Sequence, residues 1–364
     1  MLRLECPAVR IHPFRSAALY ASIVACRIGV FGFLAMLSVR QLPAEAAAIA
    51  PKMLYSDNSR LGRPFAKDPS VVKFRGSYWM YYSLPPASRE RAASDPGAKV
   101  WGIGIAESTD LTHWKKAGEV RPALDVEKVG IAAPGARVID GKVHLFYQTY
   151  GLAGAGRLDA ICHAVSTDAI HFDPDPGNPV YRPTKMPWSA GRAIDAEVYP
   201  NNNELWLFFA TRDLAMKTQE IGMAAAPIDS GFGKGVWRDL SVVGPVLKPE
   251  LPWEQDCLEA PTILRHGDYY YLFYAGAYNN RPQQIGVARS RDGSHWTRLG
   301  TAPFLPNGNP GAWNSSESGH PGVFVDDDGR TYLFYQGNND HGHTWLISMV
   351  ELRWNGDTPY MVAP

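Results

Sequence analysis

Four residues with side chains fit for proton transfer stand at nearly even intervals along the chain: Asp68, Asp195, Glu259 and His320. With Ala133-Pro134 as a fifth member, the places recur every 61 to 66 residues. The local words are Asp68-Pro69, Ala133-Pro134, Asp195-Ala196-Glu197, Glu259-Ala260-Pro261 and Gly319-His320-Pro321, and each opens a segment that runs into an aromatic strand. Any one of these acids, taken alone, reads most simply as a turn cap or a partner for a nearby arginine. Three carboxylates meeting in one pocket would do more. Their repulsion raises at least one pKa and leaves another group ionised, and a protonated donor beside an ionised base is what acid/base hydrolysis requires.

The elements that would bring them together are read from the repeat. The first unit runs through Val71-Val72-Lys73-Phe74, a turn at Arg75-Gly76, Tyr78–Tyr82, Trp101–Ser108 and Trp114. The second has Asp140-Gly141 between alternating runs, a strong hairpin signal. The others turn at Asn201-Asn202-Asn203, His266-Gly267-Asp268 and Asp327-Asp328-Gly329. Three units close their third strand with Ser-x-Asp-x-x-x-aromatic: Ser108/Asp110/Trp114, Ser166/Asp168/Phe172 and Ser290/Asp292/Trp296. That pattern predicts a polar turn whose aromatic plugs the space between adjacent sheets. Five units of four short strands predict an all-β, five-bladed β-propeller, a radial design with short, protected edges. First strands then line a central channel, and matching offsets converge there. A two-sheet sandwich is the alternative, and it does not predict even spacing.

Composition is that of a globular protein with 12% aromatic residues and zero formal net charge over 364 residues. A nucleic-acid partner is therefore not expected. Residues 1–48 carry Arg3, Arg10 and Arg15, an apolar run and Pro43-Ala44-Glu45-Ala46, the layout of a secretory signal, with an uncleaved anchor as the alternative. Residues 49–64 are expected to be a linker or entry strand, 65–355 the propeller and 356–364 a tail. A cleaved signal implies a periplasmic or secreted protein with no stable membrane insertion. The mature chain keeps Cys162 and Cys257, too few for a disulfide framework, though a single pair is open to them.

The order and spacing of these words resemble glycoside hydrolase family 43 across residues 62–355. The resemblance implies an inverting glycosidase acting on arabinose- or xylose-containing oligo- or polysaccharides. By that likeness Asp68 is the general base, Glu259 the general acid, and Asp195 the residue that sets the acid's pKa and orientation. It also places His320 at the channel floor, where relatives hold a metal through a histidine and waters, so a Ca2+ or other divalent ion is an option although no cofactor is required. Trp101 and Trp313 fall in expected loops as sugar-stacking candidates, while most aromatics are expected to be blade packing. Arg192 is placed to meet a substrate carboxylate. Glu197, on the same face as Asp195 under period-two alternation, could add a fourth carboxylate. The neoagaro-oligosaccharide hydrolases and β-fructosidases remain open as alternatives, as does a non-catalytic glycan-binding propeller. The Asn-Asp-Pro-Asn word of the fructosidases is Lys67-Asp68-Pro69-Ser70 here.

Overall fold

In the computed structural model, residues 51–151 and 159–362 are described. They form five four-stranded antiparallel sheets, each built from consecutive strands with the first strand innermost. The inner strands are Lys67–Phe74, Ile131–Ile139, Ile194–Asn201, Leu258–His266 and Glu317–Val325. Each packs on its two neighbours, the fifth on the first, which closes a five-bladed propeller. The expected leader lies outside the described residues. Among those described, no helix is long and apolar enough to cross a membrane.

The strands form where β-branched and aromatic residues concentrate, and the aromatics fill the gaps between blades. Five buried clusters occupy the five blade interfaces. The Ser-x-Asp turns take part as expected. Trp114 meets Phe334 edge-on at 6.2 Å, Phe172 meets Tyr81 at 5.5 Å and Trp296 meets Phe208 at 6.0 Å. In each case the plug reaches the second strand of the preceding blade. The turn is rigid because the serine hydroxyl accepts two backbone N–H groups and the aspartate accepts two more; around Ser290 and Asp292 these come from Asp292, Gly293, Ser294 and His295.

Two boundaries differ from expectation. Residues 51–66 dock on the fifth blade, with Tyr55 bridged to Ile347 and Phe65 to Trp345, and with Met53 and Tyr55 buried. At the other end, Thr358–Met361 is the outer strand of the fifth blade. Its four residues of mixed polarity carry no alternation, so the sequence read as a tail. Cys162 and Cys257 are free, buried thiols.

Candidate active site

Every inner strand carries a bulge at its upper end. The ladder slips between Lys67 and Ser70, Ala132 and Gly135, Glu259 and Thr262, and Gly319 and Gly322, and opposite Phe208–Ala210 in the third blade. The residue at the slip has a left-handed backbone in all five: Asp68, Ala133, Asp195, Ala260 and His320, with φ between 45° and 58°. Bulges re-aim side chains next to active sites, and a non-glycine residue at positive φ is held there by its surroundings. The holding groups are visible. Asp68 N–H donates to Gln336 Oε1 (3.0 Å), Ala133 N–H to Ser83 Oγ (2.8 Å) and Asp195 N–H to Gln148 Oε1 (3.1 Å), each from the preceding blade. Ala260 N–H donates instead to Asp195 Oδ2 (3.2 Å).

This register refines the repeat read from sequence. Ala260 is the true counterpart of Asp68 and Asp195, so Glu259 stands one residue earlier in its strand. Its longer side chain makes up the displacement, and Glu259 lies close enough to Asp195 to raise its pKa electrostatically. The structure thus brings Asp68, Asp195, Glu259 and His320 together at the inner-strand bulges, all buried.

Their charges separate as like-charged neighbours must. Burial by itself would raise Asp68; His320, Lys67 and the Ser83 hydroxyl outweigh it and hold the carboxyl below the usual carboxylate range. His320 Nδ1 is 3.0 Å from Asp68 Oδ1 and Lys67 Nζ 3.9 Å. Asp195 goes the other way: burial pushes it up to about 7, with His320 opposing and Glu259 and Asp68 adding repulsion. Glu259 is held by amides. Gln219 Nε2 donates to Oε2 (2.5 Å), and Gln283 Nε2 (2.6 Å) and Asn279 Nδ2 (3.2 Å) donate to Oε1.

The other candidates are engaged with protein partners. Arg192 donates from Nε to Asp159 (2.6 Å) and from Nη1 to Gln219 Oε1 (2.8 Å), so these two donors serve the site wall. Glu197 falls two residues past the bulge, where period-two reasoning no longer holds. Its Oε1 accepts from Thr262 Oγ1 (3.2 Å) and Ile263 N–H (3.3 Å) across the blade boundary, with Arg137 at 3.6 Å. Trp101 packs between Phe65 and Tyr150, and Trp313 against Tyr335. Both indoles are half-buried.

His320 tests the metal expectation. Its Nδ1 is committed to Asp68, and the cavity it lines is walled by Pro69, Pro134 and Pro261 together with Asp195, Glu197 and Thr262. Among the described residues no group of three or more His, Cys, Asp or Glu converges as a ligand set. A hard divalent cation takes six to eight oxygens, so an ion held at His320 would draw most of its shell from water.

Sequence reasoning missed the amides Gln148, Gln219, Asn279, Gln283 and Gln336, and also Tyr150. Burial and then Asp68, Asp195 and Asp159 push the Tyr150 hydroxyl up, which places it beside the cluster. One signal was available. Trp101-Gly-Ile-Gly, Asp159-Ala-Ile-Cys, Gln219-Glu-Ile-Gly, Gln283-Gln-Ile-Gly and Trp345-Leu-Ile-Ser are one repeated word at the start of the third strand. The first residue of that word contacts the acid in two blades and anchors Arg192 in a third.

With this geometry in hand, the chain was compared with known proteins. The sequence profile of Glycosyl hydrolases family 43 matches residues 58–359. The chain belongs to that family. Among curated relatives, a sucrose-6-phosphate hydrolase of Zymomonas mobilis is 29% identical over 167 residues, 43% of this chain and 30% of that protein. Xylosidase/arabinosidase 43A of Humicola insolens is 36% identical over 95 residues, 26% of each chain. The chain thus matches less than a third of either relative's length. A thermostable family-43 glycoside hydrolase superposes with a TM-score of 0.65 at 17% identity, covering 85% of this chain and 96% of that one. An exo-1,5-α-L-arabinanase from a bovine ruminal metagenomic library gives 0.59 at 16% identity, covering 85% and 99%. At these identities the superpositions speak for the fold of this family-43 chain.

Proposed function

We propose that this family-43 protein is an exported glycoside hydrolase that removes terminal arabinose- or xylose-type sugars from plant or microbial glycans with inversion. The observation that carries the reading is the split of charge inside one buried cluster: an ionised Asp68 beside an Asp195 that holds its proton to about pH 7. Asp68 is the base. It is ionised, and His320 and Lys67 fix its oxygen where it can take a proton from water attacking the anomeric carbon. Glu259 is the acid: the glycosidic C–O bond breaks as Glu259 delivers a proton to the leaving oxygen. Asp195 sets the acid. It accepts the N–H of Ala260, the residue after Glu259, and so fixes the strand that carries the acid. Inversion calls for carboxyl groups about 6.5–9.5 Å apart with water between them, a span that strands from different blades suit. The sugar class rests on the family and on the xylosidase/arabinosidase relative. Export rests on the layout of residues 1–48.

The test is a panel of nitrophenyl glycosides, arabino- and xylo-oligosaccharides, neoagaro-oligosaccharides and sucrose with wild type, Asp68→Ala and Glu259→Ala. Turnover of pentosides, lost in both variants, with the inverted anomer seen first by NMR, is the expected result. Glycan binding without turnover overturns the hydrolase reading, and turnover unchanged in both variants overturns the assignment of roles.

A further inference from the structure

Two chains of side-chain amides end on Glu259, and each has a single possible polarity. The first begins at Arg192, which can only donate. Its Nη1 gives a hydrogen bond to Gln219 Oε1, so the amide nitrogen of Gln219 must face the other way, and it donates to Glu259 Oε2. The second begins at the backbone N–H of Asp68. That N–H donates to Gln336 Oε1, Gln336 Nε2 donates to Asn279 Oδ1 (3.0 Å), and Asn279 Nδ2 donates to Glu259 Oε1. Donors that cannot accept stand at one end of each chain and a carboxylate at the other, so none of the three amides, Gln219, Gln336 and Asn279, can flip without losing bonds at both of its ends.

A third amide strengthens the pattern. Gln283 donates from Nε2 to Glu259 Oε1 and to Ala277 O (2.9 Å). Its own Oε1 is buried without a partner and lies against Gly319, where a Cβ would overlap it. A buried unpaired carbonyl is costly, and the fold tolerates it with the donor kept on Glu259. Oε1 thus has both acceptor positions filled by amides. Oε2 takes one amide and the weak thiol donor of Cys257 at 3.6 Å.

We propose that Gln219 and Asn279 are positioning residues for Glu259: their relays hold its carboxyl in one orientation, with Oε1 filled by amide donors and Oε2, whose second position meets only the weak Cys257 thiol, left to carry the proton to the leaving oxygen. The inference deepens the glycosidase reading and rests on it. The charged and titratable groups around Glu259 are Asp195, Cys257, Tyr278 and Glu317, with Arg192 behind Gln219. None of them supplies a hydrogen bond like those of the amides, apart from the weak thiol contact. Removing an amide donor leaves the ionised acid less well solvated, so the acid keeps its proton to higher pH. It also loosens the aim of that proton, which matters for a leaving group that must be protonated and little for nitrophenolate.

The experiment compares wild type with Asn279→Ala and Gln219→Met on a nitrophenyl glycoside and on the matching oligosaccharide across pH. Expected are a loss of kcat/KM at least tenfold greater on the oligosaccharide than on the nitrophenyl substrate, and an alkaline limb displaced upward by about one pH unit. Equal losses on both substrates with the limb unmoved overturn the proposal. Asn279 stands in the turn after Gly276, outside the strands, so Asn279→Ala carries the test if Gln219→Met does not fold. A wild type inactive on every glycoside overturns the functional reading and this inference with it. Active wild type with equal losses overturns the positioning role alone.

Discussion

Asp195 and Glu197 stand two residues apart on one inner strand, the first buried and the second half-buried, and both are pushed up to about 7 chiefly by desolvation. By that shift they are twins, yet their surroundings assign them different work. Asp195 occupies the bulge, and its neighbours are other carboxylates and His320. Glu197 occupies the place that Ser70 and Thr262 hold in the first and fourth blades, where a side chain ties one inner strand to the next. Ser70 Oγ accepts Ala136 N–H (2.9 Å), Glu197 accepts Ile263 N–H, and Thr262 accepts Val323 N–H (3.0 Å). A carboxylate that keeps its proton is therefore no marker of chemistry by itself, because burial does the same to a strut. Both accept a backbone N–H from the next blade; what separates the two is that Asp195 alone is repelled by other carboxylates, Glu259 and Asp68.

The contrast is tested most severely at the cluster. Asp68→Ala and Glu259→Ala are expected to lower kcat/KM on oligosaccharides by about 10³-fold or more, roughly 4 kcal/mol of barrier, with melting temperature nearly unchanged. Asp195→Asn comes next, with a loss of about 10²-fold. Its alkaline limb should move down in pH, because one negative neighbour of the acid is gone. The stability of the same variant has a definite sign. The folded state holds a proton on Asp195 that the unfolded chain releases near pH 4, so the group's contribution falls as pH rises from about 4 to about 7. An amide does not titrate. Melting scans should show Asp195→Asn gaining on wild type between pH 5 and pH 8, and no gain would mean the carboxylate is better stabilised than its neighbours imply.

How much of this was legible beforehand follows from the same strand. Even spacing of Asp68, Ala133-Pro134, Asp195, Glu259 and His320 gave away the five-fold repeat and the meeting of the acids. Spacing averages over single-residue slips, and so it could not reveal the bulges. The slip set Glu259 one place ahead of its counterpart Ala260, and Glu197, which lines the channel cavity with Asp195, also ties one blade to the next. Period-two alternation fails wherever two residues oppose one. Sequence placed Arg192 near the acids but could not show that Asp159 and Gln219 orient it through Nε and Nη1. The supporting amides stayed hidden because an amide carries no charge pattern; the repeated word at the start of the third strands could have exposed Gln219 and Gln283, and no pattern marked Gln148, Asn279 and Gln336.

Glu197→Gln sharpens the comparison from the other side. The amide keeps an acceptor for Ile263 N–H and Thr262 Oγ1, so activity should stay within about threefold of wild type. Burial of the Glu197 charge opposes folding as pH rises from about 4.5 to about 7, with Arg137 offsetting part of it. Glu197→Gln should therefore gain stability between pH 5 and pH 8 as Asp195→Asn does, without the catalytic loss. A loss of activity like that of Asp195→Asn would return Glu197 to the site.

The smallest expected effect isolates the tie itself. Thr262 Oγ1 accepts Val323 N–H at 3.0 Å and donates to Glu197 Oε1 at 3.2 Å, so one hydroxyl joins the third, fourth and fifth inner strands. Thr262→Val keeps the shape and removes both bonds. It leaves a backbone N–H without its partner, worth about 1–3 kcal/mol where water cannot replace it. The 440 Å³ cavity of the lower channel is lined by Thr262 and Val323, so water can reach the freed group and the cost should sit at the low end, near 1 kcal/mol. Urea titration should show the midpoint falling with its slope unchanged, and kcat/KM should stay at the wild-type value. If activity fell with stability, the bulge and the tie would be one mechanical unit, and the separation drawn between Asp195 and Glu197 would fail.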